Sequence, residues 1–279
     1  MTVTVDRLPR RRAGGAADGR MTPASALGLG VGVLWLSLLV GLPVAAVAVT
    51  SLEEGVGGFW QEVISQEAQA ALRLSVGAAL FAAAVNAVLG TLVAWVLVRD
   101  RFPGKRLVEV IIDIPFALPT IVAGLVLISL YGPQSPFGID LVGTRRGVVL
   151  ALLFVTLPFV VRSVQPVLLE MDRDVEEAAA SLGAGGFTVF RRIVLPTIAP
   201  AVLSGTALAF ARALGEYGSV ILISANLTGR TEVSSAYVLK RIEQGDTAGA
   251  AAVATVLLAV AVLVLVTLDL LQRTVTRRA

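Results

Sequence analysis

The sequence predicts an all-α integral membrane protein built from six membrane-spanning helices. Among its 279 residues, 56% are hydrophobic and 15% are charged, whereas soluble domains carry roughly 25% charged residues. The mean hydropathy is +0.84, and the apolar residues are grouped in stretches that reach the roughly 20 residues a helix needs to cross the hydrocarbon core. One bundle of membrane helices therefore accounts for the chain better than one or two soluble domains.

Six apolar stretches are the predicted spans. The first and last are almost uninterrupted, whereas the middle four contain proline, glycine or charge, which is typical of helices that pack against protein or line a water-filled path. The predicted spans are Ser25–Thr50, Ala70–Val98, Leu107–Tyr131, Gly147–Leu168, Ile193–Ser224 and Ala248–Gln272. The domain organisation follows from them. An Arg-rich arm at 1–24, predicted to be disordered, precedes a membrane domain at 25–273 and a tail at 274–279.

The distribution of basic residues predicts that both termini lie in the cytoplasm. Lys and Arg concentrate in the cytoplasmic loops of membrane proteins. With the N-terminus inside, most basic residues fall on the cytoplasmic side, and the loop at 51–69 carries glutamates but no basic residue. The predicted outer loops retain only Arg145, Arg146, Arg230, Lys240 and Arg241. The net charge of +3 is thus assigned to cytoplasmic loops beside the membrane, and no nucleic-acid partner is expected.

Several kinds of chemistry are excluded by composition. The chain has no cysteine and no histidine, which excludes Cys/His zinc sites and histidine acid–base catalysis. It also lacks the G-x4-G-K-[ST] loop that cradles nucleotide phosphates. We therefore predict no catalytic residue, no metal site and no cofactor bound by this chain.

The segment between spans four and five, residues 170–192, carries the most informative pattern. It is predicted to form two short helices separated by a sharp break. Asp174 is the predicted N-cap, and Glu177 three residues later completes a capping box. Gly183 is predicted to end the first helix in a left-handed conformation, and the second helix is expected to start at Phe187. A solvated loop that only joins the two spans is the alternative.

The same segment matches the pattern E-A-A-x3-G-x9-I-x-L-P. Its fixed positions are Glu177, Ala178, Ala179, Gly183, Ile193, Leu195 and Pro196. This pattern resembles the cytoplasmic motif of permease subunits of ABC importers. The resemblance implies a type I ABC importer permease bundle in which the segment couples to an ATPase subunit. ATP and Mg would then be used by that partner subunit.

Other stretches resemble the sulfate/thiosulfate permeases, and their T-type subunits in particular. These stretches are Pro-Phe-Ala-Leu-Pro-Thr at 115–120, the segment at 158–168 and Ala-Leu-Gly-Glu-Tyr-Gly at 213–218. The resemblance implies import of sulfate or thiosulfate across the bacterial cytoplasmic membrane. It also implies a second, homologous permease, two ATPase subunits and an external sulfate-binding protein as partners.

Two alternatives stay open. Molybdate or tungstate permeases share the Leu-Gly-Glu-aromatic-Gly stretch and the Phe-Pro-Gly loop, so the anion class is better defined than the anion. A secondary transporter driven by an ion gradient is the alternative from a different class, but it leaves the pattern at 177–196 unexplained.

Charged residues in the spans are candidates for the substrate path. Ionisable groups at these depths usually face the bundle interior or water. Arg212 and Glu216 are four residues apart and are expected to pair on one helix face. A structural ion pair is the alternative to a role beside the anion. Arg162 is either a path residue or an arginine that extends to the lipid headgroups.

Prolines in spans three and four are weaker candidates. Pro115, Pro119 and Pro158 are predicted to disturb these helices and to present helix ends whose backbone amides can bind an anion. Helix kinks with a packing role are the alternative. Asp113 is predicted to cap or kink a helix, and Asn86 is a weak path candidate.

Overall fold

The computed structural model describes residues 22–276, so most of the predicted Arg-rich arm and the last three residues of the predicted tail lie outside the described residues. The chain divides into two compact units, residues 1–46 and residues 47–279. In the first unit, the Thr22 hydroxyl accepts a hydrogen bond from the Ser25 amide at 3.2 Å and caps α1 (Pro23–Leu36). A π-helical turn, Ser37–Gly41, leads into α2 (Leu42–Thr50). The apolar side chains described in this unit are exposed.

Over residues 47–276 the second unit consists of helices joined by loops. In chain order the helices are α3 (Gly55–Val63), α4 (Gln66–Arg99), α5 (Lys105–Ala117), α6 (Thr120–Tyr131), α7 (Arg145–Glu170), α8 (Arg173–Ser181), α9 (Gly186–Val189), α10 (Leu195–Leu214), α11 (Gly218–Ser224), α12 (Ser234–Glu243) and α13 (Thr247–Thr276). A π-helical turn at Phe190–Val194 joins α9 to α10, so that one helix runs over Gly186–Leu214.

Five of the described helices are long and apolar enough to span a membrane, and a bent pair brings the number to six. The five are Ser25–Thr50, Gln66–Arg99, Arg145–Glu170, Gly186–Leu214 and Thr247–Thr274. The sixth candidate is α5 with α6, which meet at an angle of 119°. The placement of both termini in the cytoplasm stays a prediction from the charge distribution.

The structure corrects the third predicted span, which is not one helix over Leu107–Tyr131. α5 ends at Ala117, and Leu118 adopts an extended backbone with φ −83° and ψ 135°. The cause is Pro119, because a proline ring disfavours helical geometry in the residue before it and its nitrogen donates no hydrogen bond. The chain restarts as a helix at Thr120 in a new direction.

The fifth predicted span, Ile193–Ser224, is also corrected. Its main helix starts earlier, at Gly186, and ends at Leu214, and a separate helix α11 follows after a break at residues 215–217. The side chain of Glu216 explains the restart. Its Oε1 accepts hydrogen bonds from the Ser219 amide and hydroxyl, each at 2.9 Å, and so satisfies one backbone amide at the start of α11.

Helices α4, α7 and α10 form the centre of the second unit, and each packs against the other two. Small residues allow this close approach. A Cβ atom on Gly90 of α4 would lie 2.8 Å from Val160 Cβ on α7. A Cβ atom on Gly205 of α10 would lie 2.9 Å from both Ser163 Cβ and Val160 Cα of α7. α13 packs on the outside of α10.

A buried polar contact links α4 to α7. Asn86 is 1% exposed, and its Nδ2 donates to the Leu153 carbonyl at 3.1 Å and to the Thr156 hydroxyl at 2.9 Å. Hydrogen bonds between membrane helices contribute roughly 0.6–2 kcal/mol each. Asn86 therefore holds α4 against α7.

Helix α12 lies outside the spans and is attached to α3 and α4 by polar contacts. Arg241 pairs with Glu62 of α3 at 2.8 Å, and Lys240 pairs with Glu67 of α4 at 3.1 Å. The Tyr237 hydroxyl donates to Glu62 Oε1 at 2.5 Å. Burial, together with the hydrogen bond to Glu62, raises the pKa of the Tyr237 phenol to about 12, so that this group remains a donor at neutral pH.

The packing of α4 on α7 makes a stability prediction. Gly90→Ala should lower the free energy of unfolding by about 1–3 kcal/mol, because the added methyl group overpacks the contact with Val160. The matched control is Gly77→Ala in the same helix, where a Cβ atom meets nothing within 4 Å. Thermal unfolding in detergent should show a lower Tm for the first variant alone, and equal Tm values for the two variants would contradict the packing argument.

Candidate functional site

The segment between α7 and α10 begins with the short helix α8. Asp172 caps this helix, since its Oδ1 accepts a hydrogen bond from the Asp174 amide at 3.0 Å and its backbone is extended, with φ −67° and ψ 123°. The predicted cap at Asp174 is wrong by two residues, because Asp174 already lies inside the first turn. Glu177 consequently takes no part in a capping box, and its side chain is exposed.

The end of α8 agrees with the prediction. Gly183 has φ +86°, in the left-handed region that favours glycine. The Gly183 amide donates to the Ala180 carbonyl at 2.9 Å and the Ala184 amide donates to the Ala179 carbonyl at 3.1 Å. This pair of bonds is the Schellman motif, which satisfies the last carbonyl groups of a helix while the chain reverses.

The second short helix is not a separate element. It begins at Gly186, as a one-turn helix, and passes through the π-helical turn directly into α10. The predicted pair of short helices is therefore one short helix, α8, and an extension of a membrane span. The reason is that the residues after Gly186 have no helix-breaking neighbour before Pro196, which falls in the first turn of α10, where proline is tolerated.

The seven motif residues lie on these two elements. Glu177, Ala178 and Gly183 are exposed and Ala179 is half-buried on the α8 side, whereas the other three lie in the helix over Gly186–Leu214. Within that helix, Ile193 and Pro196 are half-buried and Leu195 is 39% exposed.

Two large apolar side chains flank the turn and point outward. Leu182 is 89% exposed and Phe187 is 76% exposed. With Glu177 and Ala178 they form what we call the α8 face.

An ion pair that the sequence analysis missed attaches α8 to the end of α4. Arg99, the last residue of α4, pairs with Glu176. The side chains are only 11% and 19% exposed. The Arg99 guanidinium also lies 5.5 Å from the Trp95 ring, which in turn packs edge-on against Phe190 at 5.5 Å. Nothing in the sequence pairs Arg99 with Glu176, since 77 residues separate them.

The second region of interest is where the two helix breaks meet. A Cβ atom on Gly218 of α11 would lie 2.9 Å from the Ile121 amide nitrogen of α6. A Cβ atom on Gly124 would lie 2.8 Å from the Ser219 carbonyl oxygen. Only glycine at these positions allows α6 and α11 to cross so closely. The breaks at Pro119 and at residues 215–217 are thereby held together.

The predicted pair of Arg212 and Glu216 is present beside this crossing. Arg212 Nη1 lies 2.5 Å from Glu216 Oε2. Glu216 is 2% exposed and is fixed through its other oxygen by Ser219, and its backbone carbonyl accepts a hydrogen bond from the Ser235 hydroxyl at 2.9 Å. The Arg212 side chain remains 34% exposed. The Arg212 guanidinium is therefore paired with a carboxylate but still partly exposed near the end of α10.

Arg162 is paired as well. Its Nε donates to Asp113 Oδ1 at 2.8 Å, a second guanidinium nitrogen pairs with Asp113 Oδ2, and Nη1 donates to Gln165 Oε1 at 2.6 Å. The two charged side chains are 33% and 47% exposed. This bidentate contact joins α5 to α7. Asp113 lies inside α5, so it does not cap a helix.

Only one of the three predicted prolines stands at a helix end. Pro119 precedes the first residue of α6. Pro115 lies inside α5 and Pro158 lies inside the uninterrupted α7. A proline removes one backbone hydrogen bond, and membrane helices tolerate that loss when neighbouring groups satisfy the freed carbonyl.

In the part of the chain that the structure describes, no cluster of three or more acidic side chains is arranged to hold a metal ion.

Comparison with known families identifies the class of protein. The family described as binding-protein-dependent transport system inner membrane component matches residues 86–279, and the chain belongs to this family. Its fold is similar to a chain of a bacterial alginate ABC transporter in complex with an alginate-bound periplasmic protein, with a TM-score of 0.75 and 14% identity over 90% of this chain and 94% of that chain. A chain of the inward-facing MetNI methionine ABC transporter aligns with a TM-score of 0.56 and 19% identity over 76% of this chain and 99% of that chain.

Individual relatives define the position within the family. The sulfate transport system permease protein CysT of Synechocystis sp. is 45% identical over 250 residues, which cover 87% of each chain. The proteins of the same name from Salmonella typhimurium and Escherichia coli are 40% and 39% identical over 266 residues, 93% of this chain and 96% of each relative. The predicted all-α permease fold is confirmed. The chain is a multi-pass inner-membrane permease subunit and not an enzyme, since ATPase activity in this class lies in a separate subunit.

The geometry at Gly183 makes a local prediction. Gly183→Val should destabilise the end of α8 by about 1–2 kcal/mol, because a left-handed conformation is costly for any residue with a Cβ atom. Gly185→Val is the matched control, since Gly185 has φ −66° and open space around its Cβ position. Hydrogen exchange at the Ala184 amide should accelerate roughly tenfold in the first variant. Similar exchange in both variants would contradict the assignment of strain to this turn.

Proposed function

We propose that the chain is the membrane permease subunit of an ATP-driven importer for sulfate and thiosulfate. The observation that carries the proposal is the 39–45% identity to sulfate permeases over most of both chains. A second, homologous permease completes the path, two ATPase subunits use ATP and Mg, and an external binding protein delivers the anion. The geometry supports two separate parts of this function, coupling and passage.

The α8 face is the docking surface for an ATPase subunit. It includes the short helix α8, and its Leu182 and Phe187 side chains are exposed. Docking of a partner subunit would bury these apolar groups. Glu177 adds a charge at its edge. The Schellman turn at Gly183 holds the angle between α8 and the following helix, so that a push on this face is not lost in a flexible loop.

The contacts behind the α8 face explain how a movement of the partner reaches the bundle. The buried pair of Arg99 and Glu176 fastens α8 to α4. The packing of Trp95 on Phe190 fastens the extension of α10 to the same end of α4. Because α4 and α10 are both central helices of the unit, a tilt of α8 is transmitted to them as rigid-body motion.

The pair of Arg212 and Glu216 lines the anion path. Sulfate is a dianion that needs positive potential to enter a membrane protein, but an unpaired arginine would retain it too strongly for release. Glu216 reduces the charge of Arg212, while the 34% exposure of Arg212 leaves donors available. Arg162 pairs with Asp113 in the same manner and adds a second partly exposed, neutralised cation between α5 and α7.

Reconstitution tests the substrate and the energy source. The chain is co-expressed with its second permease and ATPase subunits, placed in liposomes with the binding protein, and assayed for ATP hydrolysis. Sulfate and thiosulfate should stimulate hydrolysis several-fold, and phosphate should not. If only molybdate stimulates hydrolysis, the imported anion is molybdate and not sulfate. If no oxyanion changes the rate of ATP hydrolysis and uptake follows an ion gradient instead, the proposal of an ATP-driven importer is contradicted.

In the same liposomes, two variants test the coupling segment. Gly183→Val should abolish sulfate-stimulated hydrolysis, whereas Gly185→Val should retain it, since only the first position has a positive φ. Full stimulation in both variants would contradict the role of the α8 face.

Arg212 makes a separate prediction for the path. The double variant Arg212→Ala, Glu216→Gln removes both charges and leaves no buried carboxylate unpaired, so it separates transport from folding. Sulfate uptake should fall about tenfold or more, because charge-assisted hydrogen bonds contribute roughly 1.5–3 kcal/mol. The rate is measured across a range of sulfate concentrations, beside a Tm measurement. Normal uptake in a stable double variant would assign the pair to helix packing alone.

A further inference from the structure

We infer that the groove between the first halves of α4 and α7 binds an anionic phospholipid. Two adjoining cavities of about 520 Å³ and 380 Å³ share Phe81 of α4 with Arg145 and Val149 of α7. The groove lies far along both helices from the α8 face, which follows the opposite end of α7. It therefore belongs to neither of the functional regions described above.

The wall of the groove suits acyl chains. Its lining below the arginines is apolar and includes Leu74, Gly77, Phe81, Val149 and Leu153. Phe81 is 57% exposed, and the exposed apolar surface continues along α4 through Val88 and Leu92 at helical spacing. A continuous stripe of this kind on a membrane span faces lipid.

The dimensions agree with a lipid standing beside the two helices. From Arg73 to Phe81 on α4, and from Arg145 to Leu153 on α7, the axial rise is about 12 Å at 1.5 Å per residue. One leaflet of the hydrocarbon core is about 15 Å deep. The groove thus extends over most of one leaflet, with its arginines at the end nearest the headgroups.

Three arginines surround the open end of the groove. Arg73, Arg145 and Arg146 are all exposed, and across the described residues 22–276 none of them forms an ion pair with a carboxylate. This differs from the cations of α12, where Lys240 and Arg241 are both paired with glutamates. Positive charge is therefore left uncompensated around the groove.

Two of these arginines are held in place by neutral acceptors. Arg73 Nη2 donates to Gln69 Oε1 at 2.6 Å, and Arg145 Nε donates to the Arg230 carbonyl at 3.1 Å. Each guanidinium carries five N–H donors in a planar arrangement that matches a phosphate bidentately. The remaining donors are thus oriented but unused by carboxylates.

The combination favours a lipid phosphate over a free anion. A sulfate ion would satisfy the arginines but leave the apolar wall below them uncovered. A phospholipid with net negative charge satisfies both, since its phosphate meets the guanidinium groups and its chains cover Phe81, Val149 and Leu153. Phosphatidylglycerol is the natural probe, because phosphatidylcholine with the same chains carries no net charge.

Native mass spectrometry of the purified full-length chain in neutral detergent tests the site. Phosphatidylglycerol should remain bound about tenfold more strongly than phosphatidylcholine, because both carry a phosphate but the choline ammonium of the second cancels its charge and repels the arginines. The variant Arg145→Gln, Arg146→Gln should reduce binding of phosphatidylglycerol to the level of phosphatidylcholine. Gly77→Phe should weaken binding of both lipids by filling the groove; a Cβ atom there meets nothing within 4 Å, and a Tm equal to that of the unmodified chain confirms that the variant is folded.

The control removes the same charge elsewhere. Arg101→Gln, Arg106→Gln changes two exposed arginines beyond the other end of α4 and should leave phosphatidylglycerol binding unchanged. Equal binding of both lipids to the unmodified chain would overturn the inference. So would full displacement of the lipid by millimolar sulfate, which would make the arginines an inorganic anion site. Loss of lipid binding when the partner permease is present would also overturn the inference, because it would show that protein and not lipid covers the groove.

Discussion

The close approach of α4, α7 and α10 through small residues is the constraint on which the rest of the structure depends. A bilayer offers no hydrophobic driving force between helices, so packing must come from complementary surfaces and a few polar contacts. Gly90 against Val160 and Gly205 against Ser163 bring the backbones together. Asn86 then reaches the Leu153 carbonyl from within the contact. Helix α8 is attached to α4 through the Arg99–Glu176 pair, and α6 and α11 pack against α7.

The helix breaks are the complement of this rigid centre. A membrane-embedded chain can leave helical geometry only where protein satisfies the freed backbone groups. At the break after α10, Glu216 supplies that satisfaction with one oxygen and neutralises Arg212 with the other. One carboxylate thus serves both backbone structure and charge balance. This double role explains why a glutamate stands almost fully buried at this position.

The exposed helix α8 is held in place by contacts on its inner side. Its outer side carries Leu182 and Phe187, while its inner side is fastened by Glu176 to the last residue of α4. Because the Arg99 side chain is only 11% exposed, removing Glu176 would leave a buried charge without a partner, which costs about 3–5 kcal/mol. Glu177, Ala178 and Gly183 of the motif are exposed, whereas Arg99 and Glu176 are largely buried.

Local sequence determined much of this protein. Apolar length located four of the six spans as single helices, and Gly183 ended α8 in the predicted conformation because only glycine adopts a left-handed backbone without cost. The four-residue spacing of Arg212 and Glu216 correctly predicted their pairing. These features depend on neighbours in the chain, so a single sequence contains the information.

Tertiary structure alone decided the rest. The sequence did not reveal that Pro119 breaks a span while Pro115 and Pro158 do not, since that depends on which freed carbonyl groups find partners nearby. It did not pair Arg99 with Glu176, because residues 77 positions apart meet only through the packing of α4 beside α8. Charges and prolines are visible in a sequence, but their consequences are set by what the folded chain brings against them.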